Sequence, residues 1–214
     1  MSIAAVVVAA GQGSRFGGPK QFAPFDGETV AARSVRVSRS VAEHVILVVP
    51  EHYDGDGEGA DIVVTGGATR SASVRCGLVH CGDAGIVVVH DAARPLASAA
   101  LFLAVVDAIH RGADAAIPGL PVTDTVKRVF VEDEVTLVAS TVVREELVTV
   151  QTPQAFRRDA LEQAHATGDE ASDDASLVEA RGGRVVVVEG ELRNVKITRA
   201  SDLEVLGALE RVRP

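Results

Sequence analysis

The sequence predicts an α/β fold with a mostly parallel sheet and helices on both faces, and three observations carry that expectation. Valine-rich runs of strand length recur at 3–9, 45–49, 62–64, 86–90, 115–117 and 185–189. Stretches with helical spacing, at 28–41, 69–79, 98–111 and 157–165, fall between several of them. Alternation of this kind builds βαβ units, whose crossover helices cover both faces of a parallel sheet. With 214 residues, 47% of them hydrophobic, the chain can bury a sizeable core, and a single domain over 1–214 is expected.

The first run, Ile3 to Ala10, has the length and Val content of a buried parallel strand, and it breaks into the loop GQGSRFGGPK at 11–20. Such a loop leaves the C-terminal end of its strand, where open α/β sheets bind ligands. Gly11 and Gly13 let backbone N–H groups approach a phosphate, while Arg15 and Lys20 add positive charge. Spacing rejects two better-known glycine loops. Lys20 follows Pro19 and precedes Gln21, so a Walker A loop is not formed. Phe16 stands where the dinucleotide fingerprint needs its third glycine, and no acidic residue closes the second apolar run. An anion site for nucleotide phosphates remains, and a nicotinamide-dependent oxidoreductase is disfavoured.

After the second run comes EHYDGDGEGAD (51–61), which imitates a calcium loop. The EF-hand pattern needs Glu at its twelfth position, and counted from Asp54 that position is Thr65, so a solvated loop is expected. The segment TGGATRSASVRCGL (65–78) is a glycine turn feeding a helix, with Arg70, Ser71 and Ser73 in its opening turn as caps or as groups for a base edge. The run IVVVHDAARP (86–95) is a second buried strand. Asp91 and Arg94 then reach the same sheet edge as the glycine loop, if the two strands are parallel neighbours, and His90 is expected to be a packed strand-end histidine.

Residues 122–150 depart from this pattern. Polar and apolar residues alternate around an acidic turn at Glu132-Asp133-Glu134, which predicts a β-hairpin. It either projects from the core and packs on a partner or forms an antiparallel edge of the same sheet. In SDDASLVE (172–179), Ser172 is expected to cap a helix whose dipole Asp173 and Asp174 favour. Lys196 is expected in a short strand before a capped helix.

Composition excludes several classes. A formal net charge of −9 and 3% aromatic residues with no Trp argue against nucleic-acid binding. The apolar runs are too short for a membrane helix, no basic segment precedes Ile3, and two cysteines make no disulfide framework. A cytoplasmic protein is expected.

The motifs AAGQGSR, PKQ, GGATRSASV, VHDAARP, DTVK, TPQAF, SDDASLVE and NVKITRASDL follow one another along the chain. In that order they resemble the 2-C-methyl-D-erythritol 4-phosphate cytidylyltransferase family across essentially the whole length. The resemblance implies a Rossmann-like fold of nucleotidyltransferase type with a projecting β-arm for dimerisation, and a cytidylyltransferase of the non-mevalonate isoprenoid pathway. By similarity, CTP lies over the glycine loop, among Ala9, Ala10, Gly11, Gly13 and Arg15. Arg15 and Lys20 match the catalytic arginine and lysine, and Lys196 a second lysine at the α-phosphate. Gly67, Ala68 and Ser73 match positions that read cytosine, although Ala68 departs from the acidic residue of some members. Asp91, with Ala92 beside it, matches the aspartate near ribose and metal. Arg94, Thr125, Arg144, Thr152 and Lys196 are expected to meet the methylerythritol phosphate, with Thr125 and Arg144 reaching a partner's site in a homodimer. Mg²⁺ is expected on the CTP phosphates, with no metal site of the protein's own. The alternatives are a cytidylyltransferase for another polyol phosphate, such as ribitol 5-phosphate, and a non-catalytic nucleotide-binding module.

Overall fold

A computed structural model describes residues 1–212. In chain order the elements are β1 (Ile3–Val8), a 3₁₀ turn at Lys20–Phe22, β2 (Pro24–Phe25), β3 (Glu28–Thr29), α1 (Val30–Ser38), β4 (His44–Val49), β5 (Ile62–Thr65), α2 (Arg70–Leu78), β6 (Ile86–Asp91) and α3 (Ala99–His110). There follow β7 (Ala115–Pro121), β8 (Lys127–Glu132), β9 (Val135–Thr141), a second 3₁₀ turn at Arg144–Glu146, β10 (Val148–Val150), β11 (Gln154–Arg157), α4 (Arg158–His165), α5 (Asp174–Glu179), β12 (Val185–Glu189) and α6 (Ser201–Arg211).

Each Val-rich run becomes a strand of one eight-stranded sheet. β1 lies between β4 and β6, parallel to both, β5 extends the sheet beyond β4, and β12 runs parallel to β7. Only the short β10 and β11 run against their neighbours. Strand alternation divides the core: Ala5 and Val7 pack on one face with Val35 of α1 and Phe102 of α3, while Ala4 and Val6 pack on the other with Val74 of α2 and Leu161 of α4. Such side chains have no polar face to spare, as a strand covered on both faces requires. A smaller cluster of Phe25, Val30, Ile197 and Leu206 seats α6.

The hairpin is present as a two-stranded sheet of its own, β8 with β9, so the edge-strand alternative for these residues does not hold. Every residue of both strands is exposed. Only β10 returns to the main sheet, pairing with β7.

Two local expectations are corrected. Asp173, rather than Ser172, caps α5, its carboxylate accepting from Ser176 N at 3.2 Å, because the helix begins one residue later than the hydroxyl could serve. Lys196 lies in no strand. Its neighbour Ile197 is fully buried and donates its N–H to Ala93 O at 2.8 Å, which pins an irregular segment across the end of β6. The helix after it has no side-chain cap at Ala200. Asp202, inside its first turn, accepts instead from the N–H groups of Thr198 and Arg199 at 2.7 and 2.8 Å.

Candidate active site

The site is built where β1 and β6 end together. Their register pairs Val8 with Asp91, so the glycine loop after β1 and the polar end of β6 leave the sheet at one level. Between them opens a cavity of about 420 Å³, lined by Ala9, Ala10, Gly11, Gln12, Lys20, Gln21, Gly67, Ala68, Thr69, Arg70, Ser73, Asp91, Ala93 and Lys196. A second, of about 270 Å³, shares Arg70, Asp91 and Lys196 with the first and adds Arg94, Thr152, Gln154, Ser172 and Asp173.

The loop keeps its path by backbone chemistry. Gly13 sits at φ +64°, and its carbonyl accepts from the N–H groups of Phe16 and Gly17 at 2.9 and 3.1 Å. A Cβ there would lie 1.8 Å from Gly18 O, so only glycine fits. Gln21 fastens the other side, its buried amide donating to Ala9 O at 2.5 Å and Gly11 O at 2.9 Å.

Charge is concentrated on Asp91. Arg70 Nε donates to one carboxylate oxygen at 3.1 Å and Lys196 Nζ to the other at 2.6 Å. Burial alone would raise the Asp91 carboxyl, but Arg70 and Lys196 overcome it and hold the group well below the usual carboxylate range. Arg70 also donates to the fully buried Asp174 at 2.7 Å, and Asp174 in turn meets His165 at 3.0 Å. Lys20 is half-buried and donates to Ile197 O. Burial, then Lys196 and Arg15, push its ammonium below the ordinary lysine value, as cations gathered without a matching number of anions must be. His90 is fully buried, its imidazole pushed down to about 4 by burial, and its two nitrogens face Thr152 Oγ1 and Arg94 O, both at 3.2 Å. It is the packed histidine expected.

The family of 2-C-methyl-D-erythritol 4-phosphate cytidylyltransferases, IspD, matches residues 3–210. The chain belongs to this family. It is 43% identical to the 2-C-methyl-D-erythritol 4-phosphate cytidylyltransferase of Saccharopolyspora erythraea, covering 98% of this chain and 99% of that one. It is 45% identical to the bifunctional enzyme IspD/IspF of Clavibacter michiganensis, over 92% of this chain and 52% of that one. The chain thus spans about half the length of such two-part relatives. The crystal structure of the cytidylyltransferase from Thermus thermophilus superposes with a TM-score of 0.83 at 39% identity, covering 99% of this chain and 100% of that one. IspD enzymes are CTP-dependent nucleotidyltransferases, and the mixed α/β sheet described above is that of the family.

Against the residues that the IspD resemblance singles out, the geometry is uneven. Ala9, Ala10, Gly11, Lys20, Gly67, Ala68, Ser73, Asp91 and Lys196 line the first cavity, and Arg94 and Thr152 the second. Ala92 lines neither: it is buried, its N–H donates to Val8 O at 3.0 Å, and Ala93 faces the cavity in its place. Gly13 lines neither cavity and instead shapes the turn of the loop. Arg15 is exposed and lines neither cavity, though it is close enough to lower the Lys20 ammonium. Thr152 turns its hydroxyl inward, accepting from Asp91 N at 3.0 Å. Thr125 and Arg144 are exposed and touch neither cavity of their own chain. Two contributors carried no distinctive sequence signal. Arg70 looked like part of a helix opening, and Asn194, fully buried, donates to Thr152 O at 2.8 Å from an otherwise irregular segment.

Proposed function

We propose that this chain is a CTP-dependent cytidylyltransferase that transfers CMP to 2-C-methyl-D-erythritol 4-phosphate, giving 4-diphosphocytidyl-2-C-methyl-D-erythritol and pyrophosphate in the non-mevalonate isoprenoid pathway. The observation that carries the reading is the convergence of the glycine loop, Lys20, Asp91 and Lys196 on one cavity at the ends of β1 and β6. CTP takes this cavity, its phosphates on Ala9, Ala10, Gly11 and the cations, its base towards Gly67, Ala68 and Ser73. The acceptor takes the second cavity, with Arg94 and Lys196 on its phosphate.

An oxygen of the acceptor's phosphate, already anionic at neutral pH, attacks the α-phosphorus of CTP. The new P–O bond forms as the bond to the β-phosphate oxygen breaks, and pyrophosphate leaves. No general base is required, which suits a site whose nearest imidazole, His90, is buried and fully engaged. The barrier is charge build-up on the α-phosphoryl oxygens, which Lys20, Lys196 and Arg15 offset. Arg15 reaches that role by a movement of its exposed loop. Among the described residues no group of three His, Cys, Asp or Glu could hold a metal, and Asp91 is the one carboxylate on the first cavity's wall. The residues fit a Mg²⁺ carried mainly by the CTP phosphates with Asp91 as its protein contact. When bound, the ion supplies further neutralisation of phosphate charge.

The 214 residues act as one nucleotidyltransferase unit with an arm at about 122–150. Because Thr125 and Arg144 flank the exposed hairpin and touch neither cavity of their own chain, they serve the partner subunit's site in a homodimer. The protein works in the cytoplasm, without nucleic acid or membrane; no described helix is long and apolar enough to cross one.

Pyrophosphate release from CTP and Mg²⁺, with either methylerythritol phosphate or ribitol 5-phosphate as acceptor, tests the reading. The methylerythritol compound should give the higher kcat/KM by about a hundredfold or more. Preference for ribitol 5-phosphate, or CTP binding without pyrophosphate release, would overturn it.

A further inference from the structure

Gln154, the first residue of β11, is 1% exposed and stands on the wall of the second cavity with Arg70, Arg94, Thr152 and Asp173. Its amide can face only one way. Nε2 donates to Asp173 Oδ2 at 2.9 Å and to Gln151 O at 3.4 Å, a carboxylate and a carbonyl. Turned over, the amide would set its oxygen against two acceptors. Oε1 is therefore presented as an acceptor, withdrawn from solvent and with no partner among the described protein atoms. Asp173 is itself fixed, because its other oxygen caps α5 by accepting from Ser176 N at 3.2 Å.

The other unpartnered buried atoms on this wall are donors: Arg70 Nη2 and Arg94 Nε. Guanidinium donors suit a phosphate but cannot take a hydroxyl's proton. Of the carboxylates on the wall, Asp91 is held by Arg70 and Lys196, and Asp173 by Gln154 and the helix N-terminus. A neutral acceptor beside cationic donors is complementary to a polyol phosphate, which brings hydroxyl donors and an anionic head on one short chain.

We propose that Gln154 is a specificity-determining residue whose Oε1 accepts a hydrogen bond from a hydroxyl on the acceptor's carbon chain, with Asp173 as the positioning residue that keeps the amide oxygen turned towards the substrate. This rests on the second cavity being the acceptor's subsite. The pairing makes an unusual prediction for Asp173→Asn. Asparagine caps a helix as well as aspartate does, so α5 keeps its cap. Its amide nitrogen, however, now faces Gln154, which turns over to accept from it and offers the cavity a donor in place of an acceptor.

The test compares wild type, Gln154→Met and Asp173→Asn by pyrophosphate release with CTP and either methylerythritol phosphate or its singly deoxygenated analogues. In both variants the KM for methylerythritol phosphate should rise about tenfold or more, while the KM for CTP stays within about twofold. In Gln154→Met the wild-type preference for the natural acceptor over one deoxy analogue should fall towards unity. An unchanged acceptor KM, a parallel rise in both KM values, or a preserved preference overturns the assignment. Should Gln154→Met fail to fold, Asp173→Asn decides by the same readings. Wild type that turns over while the variants match it sinks only this inference; wild type that releases no pyrophosphate sinks the reading of the cavity with it.

Discussion

Asp91 joins the two cavities, and its surroundings set what each neighbouring charge does. The carboxyl lies below its ordinary range because Arg70 and Lys196 outweigh the cost of its burial. A depressed carboxylate contributes stability that is fully present above its unfolded pKa of about 4 and withdrawn as pH falls through the folded value, so this pairing is intact at neutral pH and fails only in acid. Arg70 ties Asp91 to the fully buried Asp174. Arg70→Met leaves Asp174 with His165 alone and should cost about 3–5 kcal/mol in denaturant unfolding, because one partner of a buried pair is removed. Lys20 has the opposite sign. Its ammonium is pushed below the usual lysine value, so the folded protein holds that proton less firmly than the unfolded chain does, and the charge works against stability at neutral pH. Lys20→Met is therefore expected to melt no lower than wild type while losing about a hundredfold or more in kcat, the penalty of removing one positioned cation. In wild type the alkaline limb of kcat/KM for CTP should fall at a lower pH than an ordinary lysine gives, and Lys20→Arg should remove it.

At the scale of elements, the loop after β1 depends on the left-handed backbone of Gly13 and the fastening by Gln21. Gly13→Ala forces Gly18 O to move and should raise the KM for CTP about tenfold, with a smaller effect on melting because the loop lies at the surface. The six Val-rich strands and the first four helices were legible in the sequence, since Val-rich runs leave a continuous apolar signature and the intervening stretches keep helical spacing, whereas the short β2, β3, β10 and β11 carry no such run. The hairpin was legible from its alternation. What escaped was whatever long-range contacts decide. Lys196 precedes a buried Ile197 whose N–H is held by Ala93 O, so an irregular segment looked like a strand. Asp173 and Ser172 are both good caps, and only the start of α5 distinguishes them. Arg70 and Gln154 gain their meaning from Asp91, Asp173 and Asp174, which lie 19–104 positions away in the chain.

For the whole molecule, the exposed hairpin carries apolar side chains to solvent, among them Val129 at 52%, Phe130 at 47% and Val131 at 71% exposure. Surface of that kind on a hairpin without a core of its own supports a dimer through the arm. Mixed subunits test it: Lys20→Met and Arg144→Ala, each inactive alone, should recover about a quarter of wild-type activity after exchange, because a random half of the dimers holds one intact site. No recovery would place Arg144 outside the partner's site. The central claim is cytidylyl transfer at the cavity between β1 and β6, and single-turnover label transfer from CTP radiolabelled at the α-phosphate, with methylerythritol phosphate as acceptor, tests it most directly. Wild type should carry the label into the cytidine diphosphate product, with none as free CMP, and Lys20→Met should carry almost none. Label released as CMP, or equal transfer by the two proteins, would contradict it.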